Sequence, residues 1–209
     1  MSTSMIWRVG LAALFLSAGA VQPASAFEHR CPPVGTEVRW SITPARAPIR
    51  YDGQDGLWCL RSYEGRPIES ELGHFRFFAR DAKHTEYYDK MLEGAHALWP
   101  IEPGKHVSFP YVDQADGSNA GADVGSYFYQ AEISVGSPVE LSVRAGTYKA
   151  LPISMDIFGQ HTNTHHSQYV YYYAPDIAMV VQFEFHLIHG TLAVQPRNWE
   201  LVSIKPPPS

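Results

Sequence analysis

Cysteines, charged residues and basic residues are all scarce in this chain. Its 209 residues include two cysteines, which form no C-x-x-C pair and so argue against a redox-active or metal-binding role. Basic residues number 16 and acidic residues 21, the wrong balance for neutralising phosphates, so we expect no nucleic-acid partner. Hydrophobic residues nevertheless make up 45% of the chain, which excludes a disordered segment.

Catalytic signatures are also missing from the sequence. It has no G-x-S-x-G turn, no phosphate-binding glycine loop and no dinucleotide fingerprint. No spacing rule separates the carboxylates of Glu64, Glu69 and Glu71 from ordinary surface charge. We therefore predict no catalytic residue and no cofactor, and we lean against an enzyme.

The first 26 residues have the pattern of a secretory signal peptide. Arg8 provides a positive start, residues 9–21 form an apolar stretch, and Ala24-Ser25-Ala26 offers a small-x-small cleavage site. That stretch of about 13 residues is shorter than the roughly 20 needed to span a bilayer. We expect a bacterial periplasmic or secreted protein, with residues 27–209 as a single β-rich domain that has no transmembrane anchor after cleavage. Residues 1–26 hold one basic and no acidic residue, so their removal changes the net charge from −5 to −6.

The two cysteines predict one disulfide. Cys31 and Cys59 lie 28 positions apart in a chain expected in an oxidising compartment. Closing such a loop stabilises a fold by about 3 to 4 kcal/mol in the chain-entropy model. Cys59 falls in a strand-like run that follows two turn dipeptides, Asp52-Gly53 and Asp55-Gly56. We expect the disulfide to join this strand to the N-terminal arm.

Apolar and polar side chains alternate along much of the chain. The strand-like runs are residues 36–42, 57–63, 74–80, 127–135, 139–143, 151–157, 169–173, 179–187 and 199–203. Between residues 81 and 99 the apolar spacing changes to three and four, which predicts one amphipathic helix with Asp81 as its N-cap. A polar loop at residues 113–125 follows.

Short turns between the later runs leave no room for helical crossovers, so neighbouring strands should be antiparallel. The sequence predicts a β-rich α+β fold. Its architecture should be a curved antiparallel meander or half-barrel with one amphipathic helix packed on it.

Two segments carry candidate binding residues. Alternation places Tyr169, Tyr171 and Tyr173 on one strand face, either as a platform for sugars or peptide or as cross-strand structural pairs. In the preceding loop, the spacing of His161, His165 and His166 is compatible with Zn²⁺ or Cu²⁺, but a plain solvated loop is the favoured interpretation of these residues. We take the tyrosines as the candidate ligand site and keep the histidines as an alternative metal site.

Two short motifs carry a resemblance. Val143-Arg144-Ala145-Gly146-Thr147-Tyr148 is an Ala-Gly-Thr-aromatic turn, and Tyr173-Ala174-Pro175 is a corner after an aromatic strand. With them, residues 98–204 resemble a group of exported bacterial domains of unknown function. The resemblance implies a curved antiparallel sheet akin to lipoprotein-carrier half-barrels. Glycine at position 146 permits a positive φ in the turn, and the proline at 175 fixes the corner.

Together these features favour a non-catalytic periplasmic binding or interaction domain. Its ligand would be a small apolar molecule, an envelope polymer or a protein partner. One alternative is an envelope hydrolase with an unfamiliar site, which requires a pocket holding a histidine with a carboxylate partner. The other is a metal-binding protein that uses the loop from His161 to His166.

Overall fold

The structure is a computed structural model that describes residues 26–42, 47–72, 86–113, 127–159, 165–191 and 196–207. Its elements are β1 (Glu37–Trp40), β2 (Ile49–Asp55), β3 (Trp58–Tyr63), β4 (Arg66–Leu72), α1 (Glu86–Leu98), β5 (His106–Asp113), β6 (Tyr127–Val135), β7 (Val139–Val143), β8 (Gly146–Gly159), β9 (His166–Ala174), β10 (Met179–His189) and β11 (Trp199–Lys205). The signal peptide up to residue 25, the run at 74–80, the Asp81 cap and nearly all of the loop at 113–125 lie outside the described residues. In the described ranges, no helix combines the length and the apolar character needed to cross a membrane.

The eleven described strands form one open antiparallel sheet. Their order is β4-β3-β2-β1-β11-β10-β9-β8-β6-β5, and β7 pairs with β8 outside this path. The last strand in the sequence therefore lies between β1 and β10 and joins the strands before the helix to those after it. The predicted β-rich fold, an antiparallel meander with one helix, is confirmed.

One face of the central strands is buried, and we call it the core face. Alternation along each strand places apolar side chains there, because successive residues point to opposite sides of a sheet. The core-face residues of β6, β8, β9, β10 and β11 include Ala131, Ile133, Val135, Ile153, Met155, Ile157, Tyr171, Tyr173, Phe183, Phe185, Trp199 and Leu201, all at most 8% exposed. We call the opposite side of these strands the outer face.

The helix packs on β5 through a close contact. Met91, Ala95 and Leu98 are buried on one side of α1, as the three-and-four spacing predicts. Gly94 lies against the ring of Phe109 on β5, where a Cβ atom would come within 2.9 Å of the Cβ of Phe109. Glycine at this position lets the helix backbone approach the strand.

The turn between β7 and β8 docks on β11. Gly146 adopts a φ of 142°, so the expected positive φ in the Ala-Gly-Thr-Tyr turn is confirmed. The N–H of Ala145 donates to the carbonyl of Leu201 at 3.1 Å, and the hydroxyl of Tyr148 donates to the carbonyl of Ala145 at 3.4 Å. This turn therefore reaches the strand that lies three places away from β8 in the sheet order.

Two turn predictions before β3 have different outcomes. Asp55-Gly56 closes the hairpin between β2 and β3, as predicted. The predicted turn at Asp52-Gly53 is wrong, because both residues lie inside β2. The pairing of β2 with β3 shifts its register between Tyr51 and Gly53. This irregularity accommodates the glycine within the strand, so the chain does not reverse direction there.

Candidate functional site

The disulfide forms as predicted. Cys31 in the N-terminal arm is bonded to Cys59 in β3, with their Cα atoms 5.5 Å apart. The arm is also held by paired backbone hydrogen bonds between Phe27 and Ile101, at 2.7 and 2.9 Å. Next to Cys31, the guanidinium of Arg30 donates to the carbonyl of Pro175, which follows β9. The arm thus contacts β3, the segment between α1 and β5, and the segment after β9.

The tyrosine row on β9 faces the core. Tyr171 is 2% exposed and Tyr173 is 1% exposed, whereas Tyr169 is half-buried. The ring of Tyr171 lies 5.0 Å from that of Phe183, and burial raises the pKa of Tyr173 to about 12. These contacts are the cross-strand aromatic packing weighed above. A ligand platform on this row stays a prediction, and the half-buried Tyr169 is its most accessible member.

The two described histidines of the candidate metal loop point in different directions. His165 contacts the ring of Tyr129 at 5.4 Å and the hydroxyl of Ser167 at 3.1 Å, whereas His166 stacks on Phe158 on the other side of β9. Strand alternation explains this divergence of neighbouring residues. His161 lies outside the described residues, so a metal site in this loop stays a prediction.

A hydrogen-bonded group of side chains occupies the outer face of β8 and β9. Asp156 accepts hydrogen bonds from the Gln168 amide at 3.2 and 3.3 Å and lies 2.8 Å from Nε2 of His166. Each of the three is on an outward position of its strand, and Asp156 is directly opposite Gln168 in the ladder. The arrangement gives one carboxylate three polar contacts.

A second polar group lies on β9 and β10. The Gln182 amide donates to Glu184 at 2.6 Å, and the Tyr172 hydroxyl also bonds to Glu184. Burial, followed by the nearby Glu184 carboxylate, raises the pKa of the Tyr172 phenol. Nε2 of His186 approaches the same carboxylate at 3.5 Å. Glu184 is thus the centre of the outer-face contacts on β10.

A groove opens where β10 and β11 separate. Their ladder includes only the pairs Gln182 with Glu200 and Phe183 with Trp199, and beyond it the Asn198 side chain accepts the N–H of Phe185 at 2.8 Å. The groove holds about 350 Å³, with Phe183 and Trp199 as its apolar part. Its polar lining consists of Ser41, Arg144, Gln182, Glu184, Asn198 and Glu200.

An ion pair joins the β7–β8 turn to the groove. Arg144 Nε donates to Glu200 at 2.6 Å, and the backbone N–H of Arg144 contacts the same carboxylate at 3.3 Å. The hydrogen bond from Arg144 is the main reason that the pKa of Glu200 lies below its ordinary value. Ser41 also contacts β11, because its hydroxyl accepts the backbone N–H of Glu200 at 3.2 Å.

Comparisons with known proteins give two structural likenesses. No family model matches the chain. No curated protein matches it either. Among solved structures, the chain is similar to the hypothetical lipoprotein YmcC of Escherichia coli, with 12% identity, a TM-score of 0.41 and coverage of 85% of this chain and 89% of that one. It is also similar to a Bacteroides fragilis protein described as exported and YmcC-like in fold, with 14% identity, a TM-score of 0.35 and coverage of 87% and 100%.

Sequence reasoning missed the residues of the groove. Arg144 appears in the turn motif, but as a neighbour of Gly146 and without a role of its own. Glu200 and Gln182 are ordinary polar positions of alternating strands, and nothing local shows that they are opposite each other in the sheet. Alternation alone could have indicated that Gln182 and Glu184 share a face.

Proposed function

We propose that this protein is an exported, non-catalytic bacterial domain that binds a hydroxyl-rich envelope polymer, such as a glycan strand, in the groove between β10 and β11. The observation that carries the proposal is the groove itself, with a volume of about 350 Å³ and six polar side chains around it. Export is supported by the signal-like pattern of residues 1–26 and by the disulfide between Cys31 and Cys59.

The groove chemistry favours hydroxyl groups as the recognised feature. Amides both donate and accept, carboxylates accept, and Arg144 donates, so neighbouring sugar hydroxyls can meet partners of either kind. Two carboxylates, Glu184 and Glu200, outnumber the single arginine, which disfavours a strongly anionic polymer. The proposed ligand is therefore a neutral or cationic saccharide.

The outer face continues the polar surface beyond the groove. Glu184 lines the groove and also contacts Tyr172, which lies on the next strand. Gln168 and Asp156 follow on β9 and β8, in register with His186 of β10. A row of polar groups across three strands suits an extended chain better than a single small molecule.

The core face offers little support for an apolar ligand. Ile153, Met155 and Tyr171 are each at most 2% exposed, so their side chains already fill the space against the centre of the sheet. The envelope polymer is accordingly the choice among the three ligand classes expected from the sequence.

Binding of defined saccharides to the mature chain tests the proposal. Calorimetric titrations would use neutral fragments built from N-acetylglucosamine, an anionic lipopolysaccharide core oligosaccharide and an unrelated peptide. We expect the neutral fragments to bind and Gln182→Ala and Glu184→Gln each to weaken their affinity by about tenfold or more, as for a lost hydrogen bond to a charged group. Gln130→Ala is the matched control, because Gln130 is on β6 and contacts Ser108 of β5, away from the groove.

Three outcomes would contradict the proposal. The first is that no saccharide binds, the second that both groove variants bind like the wild type, and the third that the peptide alone binds. The third outcome would favour a protein partner.

A second candidate function, an envelope hydrolase, rests on one contact. Nε2 of His166 lies 2.8 Å from Asp156, which supplies the histidine and carboxylate partner of the hydrolase alternative on the outer face, outside the lining of the groove. A panel of chromogenic ester and glycoside substrates would test it, with His166→Gln expected to abolish any turnover. Turnover that is unchanged in this variant would reject the pair as the catalytic group.

A further inference from the structure

The two carboxylates of the groove differ in how their charge is compensated. The Glu200 side chain is 30% exposed and pairs at 2.6 Å with the guanidinium of Arg144, which carries a full positive charge. The Glu184 side chain is 29% exposed, but the Gln182 amide at 2.6 Å and the Tyr172 hydroxyl that donate to it are both neutral. Among the described lining residues, Arg144 is the one lysine or arginine, so Glu184 has no cation of its own.

The histidine next to Glu184 does not supply a fixed positive charge. Nε2 of His186 lies 3.5 Å from this carboxylate, which is longer than the roughly 2.7 to 3.2 Å of an ordinary N–H···O bond. The ring is charged only when both of its nitrogens carry a proton. β9 and β10, the strands that carry Tyr172 and Glu184, contain neither lysine nor arginine. The excess negative charge is therefore a property of this part of the sheet.

We propose that the polymer bound in the groove is an amino sugar chain with free amines, in which Glu184 binds the ammonium group of one sugar unit. An ammonium group donates up to three hydrogen bonds and carries the positive charge that Glu184 lacks. An N-acetylated sugar offers one neutral N–H at the same place and forms the weaker type of hydrogen bond. This inference rests on the proposed saccharide function and goes beyond it, because it selects a cationic chain over a neutral one.

The apolar part of the groove strengthens such a charge pair. Phe183 and Trp199 line the groove beside the carboxylates, with their rings stacked 5.6 Å apart. Apolar groups lower the local dielectric, so an ammonium and a carboxylate next to them attract each other more strongly than in open water. At the other side of the groove, the guanidinium of Arg144 repels a second ammonium group but can donate to sugar hydroxyls. The charges of the groove thus place one amine at Glu184.

Matched oligosaccharides test this inference on the mature chain. Calorimetric titrations would compare a glucosamine tetramer, an N-acetylglucosamine tetramer of the same length and tetralysine, in a buffer in which the amines are protonated. We expect the glucosamine tetramer to bind about tenfold more tightly than the N-acetylated one, as for a charge-assisted hydrogen bond in place of a neutral one. Glu184→Gln should remove this preference.

Two control variants should keep the preference. Glu132→Gln removes the same charge from an exposed position on β6, and β8 and β9 separate that strand from β10. His186→Gln removes the neighbouring ring, so a preference that persists in this variant excludes the histidine as its source.

Four outcomes would overturn the inference and leave the saccharide function intact. These are equal affinity for the two tetramers, a preference that persists in Glu184→Gln, a preference that is lost in His186→Gln, and one that is lost in Glu132→Gln. Tetralysine that binds as tightly as the glucosamine tetramer would also overturn it, in favour of a cationic peptide. If neither tetramer binds, the proposed saccharide function fails and the inference fails with it.

Discussion

Replacing Gly94 by alanine should destabilise the protein even though alanine is the better helix former. On helix propensity alone, the substitution would stabilise α1 by about 1 kcal/mol. The added Cβ, however, would overlap Cγ and Cδ1 of Phe109 and lie 2.9 Å from its Cβ. Side-chain rotation can move a ring but not a Cβ, so the helix itself must shift away from β5. Overpacking of this kind costs about 1 to 3 kcal/mol, and here we expect the upper part of that range, for a net loss of about 1 to 2 kcal/mol.

Urea denaturation followed by circular dichroism and tryptophan fluorescence measures this loss. Ala97→Gly, at an exposed position of the same helix, is the control for propensity and should cost about 1 kcal/mol. A Phe109→Ala background removes the overlap with Cγ and Cδ1 but keeps the 2.9 Å contact with Cβ, so only part of the steric cost should disappear, and a double-mutant cycle reports that part as a coupling energy between the two positions. A stabilisation by Gly94→Ala of about 1 kcal/mol would refute the close contact between α1 and β5.

Three further predictions concern protons and the disulfide. The hydrogen bond from Arg144 lowers the pKa of Glu200, so its contribution to stability is complete above the unfolded-state pKa and is lost as pH falls through the folded-state value. The free energy of unfolding should therefore fall less steeply in acid for Glu200→Gln than for the wild type, and equal slopes would contradict the pair. Burial raises the pKa of Tyr173 from 10.0 to about 12, so stability should decline between these pH values in the wild type and decline less in Tyr173→Phe. Replacing Cys31 and Cys59 together by serine should lower the free energy of unfolding by about 3 to 4 kcal/mol in urea titrations, and a loss below about 1 kcal/mol would show that the arm is held by its other contacts.

Strands with regular alternation could be predicted from the sequence because the signal is local. The predicted runs at 127–135 and 139–143 coincide with β6 and β7, and that at 179–187 falls within β10. The helix is also found within its predicted span, since apolar residues at steps of three and four define its buried side. These elements could be predicted without knowing which strands they pair with or pack against.

Elements that depend on distant partners could not be predicted in this way. β2, β4 and β5 contain glycine, proline or consecutive polar residues, and the ladders of neighbouring strands compensate for these irregularities. The position of β11 between β1 and β10 is likewise a tertiary property, and the groove depends on it. Alternation correctly grouped the tyrosines of β9 on one side, but it could not show that this side is covered.

The location of β11 has a consequence for biogenesis. Residues 199–205 are synthesised after all the other strands, yet they form the seam between β1 and β10. Until they emerge, the earlier strands can form only two separate half-sheets with exposed edges. Long-range pairing of this kind folds slowly and leaves such edges open to aggregation. A chaperone that shields strand edges would therefore be most useful while these last residues are still missing from the sheet.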